Sequence, residues 1–188
     1  MGIAKAKETD MKTLKLCALA LLAMVALLGM SGCTDTSSRA ILTVVSMNDG
    51  KVLYSDLISD SGLVVPDQAT VTFGNIQNDG GAPLEAGAPF SEIIVTGYTV
   101  TYDNGIYPPV SGGITTIVPS GGTAEVTIAM SDLGAKASVP INIAVSTTAR
   151  LTFTGFVHTN GGNNGDTVTA RASLPIQVAN FKDSDIPD

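Results

Sequence analysis

Thr167–Phe181 reads TVTARASLPIQVANF. Its even positions, Val168, Ala170, Ala172, Leu174, Ile176 and Val178, are all apolar, while Thr167, Thr169, Arg171, Ser173 and Gln177 between them are polar. A period of two sustained this long is the mark of a β-strand with one face on a core and the other in water. Wound as a helix, the same residues would scatter their apolar side chains over every face. The stretch therefore predicts a half-buried strand, and a sheet to hold it. Pro175 cannot donate to a ladder, so its side of the strand is expected on an edge or at a bulge.

Working outward, the same device recurs. Ala149–Val157 (ARLTFTGFV) sends Leu151, Phe153 and Val157 one way, and Asn160–Asp166 (NGGNNGD) reads as the hairpin loop that joins it to the next strand. Val139–Val145 alternates through Val139, Ile141, Ile143 and Val145. Thr123–Met130 alternates through Ala124, Val126, Ile128 and Met130, with SDLGAKAS between the two as a turn or single helical turn. Ile114–Val118 is a short strand. In Ile93–Tyr102 the apolar sets Ile93/Val95 and Tyr98/Val100/Tyr102 have opposite parity, and a β-bulge at Gly97 would bring both onto one face. Asp103-Asn104-Gly105 then turns the chain, and Asn78–Phe90 is loop. Nearer the start lie Ala69–Gln77, with Val71 and Phe73 on one face, then Val52–Ile58 and Ala40–Met47, the last two separated by Asn48-Asp49-Gly50. About eight to ten short strands with turns between them predict an all-β chain, a single antiparallel immunoglobulin-like β-sandwich over residues 40–182. Without a Cys…Trp…Cys arrangement it is not an antibody-type domain.

Ahead of the strands stands MKTLKLCALALLAMVALLGMSGC, Met11–Cys33. Lys12 and Lys15 give a basic start, Leu16–Gly32 carries no charge, and a small-residue cleavage site follows, which is the layout of a secretory signal. A helix over the uncharged stretch reaches only ~25 Å, short of the roughly 30 Å hydrocarbon core, so a retained transmembrane anchor is disfavoured. Met30-Ser31-Gly32-Cys33 resembles the lipobox of bacterial lipoproteins, with Met where that pattern prefers Leu. The resemblance implies cleavage between Gly32 and Cys33, lipidation of Cys33, and an anchor of two or three acyl chains. The competing expectation is an ordinary signal that leaves Cys33 a free thiol. Thr34, rather than Asp, after the cysteine implies the outer membrane of a Gram-negative cell. Met11 makes the cleaner start, and Gly2 is no myristoylation site because Ala6 stands where Ser or Thr is needed. The expected organisation is thus a signal over 1–32, a lipidated cysteine and tether over 33–39, the sandwich, and an acidic tail over 183–188.

Of the two cysteines, Cys17 leaves with the signal and Cys33 takes the lipid, so the sandwich must stand on its packed core without a disulfide. Ten basic residues face seventeen acidic ones, and the signal removes Lys5, Lys7, Lys12 and Lys15, so the exported part is more acidic than the net −7 of the whole. Such a chain is repelled by a phosphate backbone, and nucleic acid is not an expected partner.

Candidate chemistry is thin. His158 is the one histidine, and its parity sets it opposite Leu151, Phe153 and Val157, on a solvent-facing strand end. No GxSxG occurs, and a Ser–His–Asp arrangement has no support. Zinc needs thiolate or imidazole ligands that the exported chain lacks. Oxygen ligands for calcium cluster at Asp103-Asn104, in Asn160–Asp166 and at Asp183, Asp185 and Asp188, but none forms a DxDxDG loop, and turn chemistry explains the composition. Paired carboxylates for glycoside hydrolysis lack tryptophans to hold a sugar. The pairs Gly80-Gly81, Gly112-Gly113, Gly121-Gly122 and Gly161-Gly162 read as hairpin punctuation, without the Lys-Ser/Thr of a phosphate loop. No catalytic residue, cofactor or metal is expected.

VTGYTVTYDNG (Val95–Gly105), together with ARLTFTGFV and GDTVTARASLPIQVANF (Gly165–Phe181), resembles a family of uncharacterised bacterial envelope lipoproteins. In that family a YxVxYxxxDG hairpin precedes a C-terminal LTFxG…V…IxVxF hairpin. The likeness runs from Ala40 to Asp183, with His158–Asn164 standing where the family has a short Asp/Gly turn. It implies an immunoglobulin- or fibronectin-like sandwich behind a lipobox, and no activity. The expectation is a non-enzymatic, lipid-anchored envelope module that contacts other envelope proteins. The alternatives are a calcium- or glycan-binding adhesion module and an enzyme of unknown class.

Overall fold

The computed structural model describes residues 40–77, 92–158 and 164–181, all in the second of two units into which the chain divides after Thr36. The signal stretch with Gly32 and Cys33, the Asn78–Phe90 loop and the acidic tail lie outside the described residues.

The described chain is mostly β, in two sheets. β1 (Ala40–Met47) and β2 (Leu53–Asp56) are one run bent at Asn48–Gly50, where all three residues take positive φ. Asparagine, aspartate and glycine are the residues that accept that conformation at least cost. There follow β3 (Gln68–Gln77), β4 (Ile93–Tyr102), β5 (Val110–Val118), β6 (Thr123–Ala129), the short helix α1 (Leu133–Ala137), β7 (Ala144–His158) and β8 (Asn164–Ala179). One sheet has the order β1-β3-β6, and the other β2-β8-β7-β4-β5.

The second sheet is mixed, which corrects the expectation of a purely antiparallel sandwich. β2 runs parallel to β8, Leu53 opposite Ile176 through Asp56 opposite Ala179. The bend at Asn48–Gly50 carries the first run of chain from one sheet to the other, where it meets the last strand travelling the same way. Alternation fixes which face a residue takes and says nothing of the direction of the neighbouring strand.

The strand that opened the sequence reading behaves as its pattern demands. Val168, Ala170, Leu174, Ile176 and Val178 are buried and Ala172 partly so, while Arg171 and Gln177 face water. β4 carries a register shift between Val95 and Gly97 against both of its neighbours. In consequence Ile93, Val95, Tyr98, Val100 and Tyr102 are all buried. Across the sheets, Phe73 of β3 meets Phe153 of β7 edge-on at 4.9 Å. Each ring is fully buried, and aromatic pairs of this geometry add about 0.5–1.5 kcal/mol beyond their burial.

Two strand boundaries need correction. Val139–Val145 is not a strand: β7 begins only at Ala144, and Ile141 is 61% exposed. Pro140 has no N–H to give a ladder, and its carbonyl instead accepts from Ile143 N in a turn. β5, in turn, starts at Val110, well before Ile114, so Gly112 and Gly113 lie inside a strand and are not turn residues. The Tyr98 ring rests on Gly112, where a Cβ would come within 2.5 Å of it. Gly121-Gly122 does turn the chain, with Gly121 at positive φ and Gly122 N bonded to the Pro119 carbonyl, while Gly80-Gly81 and Gly161-Gly162 lie outside the described residues.

Candidate functional site

Among the described residues a buried polar cluster stands out that the sequence did not flag. Asp67, just ahead of β3, is buried, and both of its carboxylate oxygens are engaged. Oδ2 accepts from Ser55 Oγ of β2 and from Ser131 Oγ beyond β6, each at 2.7 Å. Oδ1 pairs with Lys136 Nζ at 2.6 Å, and that ammonium also donates to the Val65 carbonyl at 2.7 Å. Ser55 Oγ further shares a hydrogen bond of 2.8 Å with the Tyr107 hydroxyl. Tyr107 packs edge-on against Tyr102 at 5.2 Å, and the Tyr102 hydroxyl donates to the Met130 carbonyl.

Local sequence places each group. Asp132 caps α1, accepting from the N–H groups of Gly134 and Ala135, as Asp does at a helix start. That cap starts the single turn that carries Lys136 inward to 2% exposure. Asn104 Oδ1 accepts from Ile106 N and closes the β4–β5 turn, with Gly105 at positive φ. Tyr107 follows two residues later. Burial is the first cause that pushes the Tyr107 phenol up to about 12; its bond to Ser55 pulls the other way, and the Asp67 charge adds to the rise. Tyr102 is raised further, again by burial first, then by Asp67 and Tyr107. Neither phenol is a base at neutral pH.

A cleft of about 360 Å³ opens beside the cluster between Leu53, Tyr54, Val65 and Lys136. The two charged groups it shares with the cluster are already engaged: Lys136 with Asp67 and Val65, Asp67 with two hydroxyls and an ammonium. A Ser–Lys nucleophile would need a seryl oxygen on the ammonium, and both serine hydroxyls bond instead to the opposite carboxylate oxygen.

The residues singled out by sequence are not brought together. His158 ends β7 opposite Asn164, with its side chain 40% exposed and Nδ1 3.7 Å from Glu92 Oε2. Asp103 is tied to Arg150 on the outer face of the second sheet, Nε to Oδ1 at 2.5 Å and Nη2 to Oδ2 at 3.0 Å. That hydrogen bond holds the Asp103 carboxyl below its usual range. Of the Asn160–Asp166 loop, Asn164, Gly165 and Asp166 already belong to β8, and 160–163 lie outside the described residues, as do Asp183, Asp185 and Asp188. Among the described residues no three His, Cys, Asp or Glu side chains gather to hold a metal ion.

No family model matches the chain, and no curated protein matches it. Among solved structures, a plant protein described as late embryogenesis abundant (LEA), determined in solution, aligns with a TM-score of 0.46 and 11% identity, covering 90% of this chain and 88% of the other. The resemblance to bacterial envelope lipoproteins is overturned: no family model supports it, and the structural likeness found is with a plant protein. Its motifs consist of strand alternation and turn residues, which unrelated β-proteins share.

Proposed function

We propose that this chain is a non-enzymatic module, held to a membrane through a lipid on Cys33, that works by contact with other proteins. One observation carries the proposal. A buried set of reactive side chains among the described residues, Asp67, Lys136, Ser55, Ser131 and Tyr107, is satisfied from within and ties β2, α1 and the β4–β5 turn together. Large aliphatic side chains meanwhile face water, among them Leu63 at 65%, Ile76 at 54% and Ile141 at 61% exposed. Where such side chains form a contiguous patch they mark a partner's site, and these are the positions to probe for one. A cell-envelope location, on the outer membrane, belongs to the same proposal and rests on the Met11–Cys33 signal.

The fold type belongs to it too. In chain order β1, β3 and β6 occupy the places of strands A, B and E of an immunoglobulin-like sandwich, and β4, β7 and β8 those of C, F and G. On this assignment β2 is the part of the first strand that changes sheet.

The test places a photo-cross-linking side chain at Leu63 and, separately, at Ile76 in cells. A discrete heavier adduct with another protein at either position supports the role, and free chain at both overturns it. The anchor is tested by Cys33→Ala, expected to leave soluble chain or uncleaved precursor. Mature-sized variant that still fractionates with membranes would refute the lipid.

A further inference from the structure

Four strands stand at the edges of the two sheets, β1 and β6 in one, β2 and β5 in the other. An open edge offers unpaired ladder groups to any further strand, and proteins blunt it with short length, charge or cover. Three of the four are blunted. β2 has four residues and includes Asp56, β6 carries an exposed Glu125, and β1 passes beside β8. β5 has none of these devices. It runs for nine residues, VSGGITTIV, and no charged residue stands anywhere from Asn104 to Ala124.

Among the described residues β5 pairs with β4 alone. Every residue from Val110 to Ile117 is exposed or half-exposed, Val110 and Ile114 of the core-facing set included, and only Val118 is buried. The edge is sealed at that last residue, where Asn75 Nδ2 of β3 donates to the Val118 carbonyl at 3.2 Å. Across the seam Ala124 and Val126 of β6 are likewise half-buried, so water reaches the apolar side chains between the two strands.

We propose that β5 is where this protein pairs with a second copy of itself, edge to edge and antiparallel, so that the two five-stranded sheets run on as one. Charge selects that partner. Copies of a chain with net charge −7 repel one another over most of their surface, and β5 is the edge at which no like charges meet. The strand also fits its own reverse. A dyad through Ile114 sets Val110 opposite Val118, Ser111 opposite Ile117, Gly112 opposite Thr116 and Gly113 opposite Thr115, the self-complementary contact that a twofold axis demands. Each branched threonine then faces a glycine, and the half-exposed Ile114 of each copy is drawn out of water against the other. The inference goes beyond the interaction role proposed above and does not depend on a lipid at Cys33.

The full chain in detergent is followed by sedimentation over a wide range of concentration, and a monomer–dimer equilibrium is expected. Gly113 and Thr115 are exposed, and a Cβ added at Gly113 meets nothing nearer than the Thr96 carbonyl at 4.0 Å. The double variant Gly113→Glu/Thr115→Glu sets like carboxylates directly opposite each other across the dyad. It should weaken the dimer at least about tenfold while the melting temperature stays put. Gly113→Lys/Thr115→Lys should do the same, and the two variants, mixed, should pair again. A monomer at every concentration, a dimer indifferent to both variants, or variants that stay apart when mixed would overturn the proposal. A photo-cross-linker at Thr115 that captures a different protein in cells would give the edge to that protein and overturn self-pairing. Failure here alongside discrete adducts at Leu63 or Ile76 removes the β5 interface and leaves the interaction role standing.

Discussion

Replacing Lys136 by Met keeps the aliphatic stem and deletes the ammonium. Two contacts disappear, 2.6 Å to Asp67 Oδ1 and 2.7 Å to the Val65 carbonyl. Val65 is 50% exposed, so water replaces the second. Asp67 is only 7% exposed and keeps just the hydroxyls of Ser55 and Ser131. Breaking one side of a buried pair costs roughly 3–5 kcal/mol. The surviving donors set the expectation near the lower end, about 3 kcal/mol, and for a domain of this size that lowers Tm by about 6–12 °C. Calorimetric melts of residues 33–188, with Cys33 replaced by Ser, measure it. Asp67→Asn should cost a similar amount, because it strands the ammonium. The double variant Asp67→Asn/Lys136→Met, neutral at both positions, should fall no further than the worse single. Losses that add, so that the double variant falls by the sum of the singles, would show that the two charges are not coupled and refute the reasoning.

Leu174→Asp puts a carboxylate where the side chain is 2% exposed and should cost several kcal/mol, whereas Arg171→Asp on the outer face should stay within about 0.5 kcal/mol of wild type. Equal melting temperatures would remove the half-buried strand. Tyr102 and Tyr107 have folded pKa values raised above the ordinary 10, so the stability they contribute is complete below pH 10 and is lost as pH climbs through the folded values. Absorbance at 295 nm should show part of the tyrosine titration delayed to about pH 12 or coincident with unfolding; all four tyrosines ionising together near pH 10 would contradict this. Millimolar calcium should move Tm by no more than about a degree, and a rise of roughly ten degrees, reversed by EDTA, would restore a calcium site.

What the sequence made legible is what one residue and its parity can carry. The alternation from Val168 to Val178 names the buried face of β8 without a partner strand in view, and the parity change across Gly97 names the bulge in β4. Neighbours are a different matter. Nothing in Leu53–Asp56 says that it will lie beside Ile176–Ala179, because that pairing depends on a bend at Asn48–Gly50 and on strands far along the chain. The polar cluster was illegible for the same reason: Ser55, Asp67, Tyr107, and the pair Ser131 and Lys136 of SDLGAKAS come from four segments, and none of them alone points to the others. Lys136 held the one signal, a lone cation in the small-residue turn GAKAS. Ile141 misled, since its alternation with Val139 and Ile143 is genuine but Pro140 takes the segment out of any ladder.

The parallel pairing of β2 with β8 has a mechanical side. β1 and β2 carry the chain in at one end of the domain, and β8 carries it out at the other, running the same way. The junction is extended by Leu57 N on the Ala179 carbonyl, by Phe181 N on Asp56 Oδ1, and by the Tyr54 and Phe181 rings in edge contact at 5.6 Å. Tension between the N-terminal side of β1 and the C-terminal side of β8 therefore runs along the strands and across their hydrogen bonds. The bonds share that load and must fail together, where a hairpin pulled from its open end would lose them one at a time. Pulled from those two sides, this layout loads the β2–β8 junction in shear.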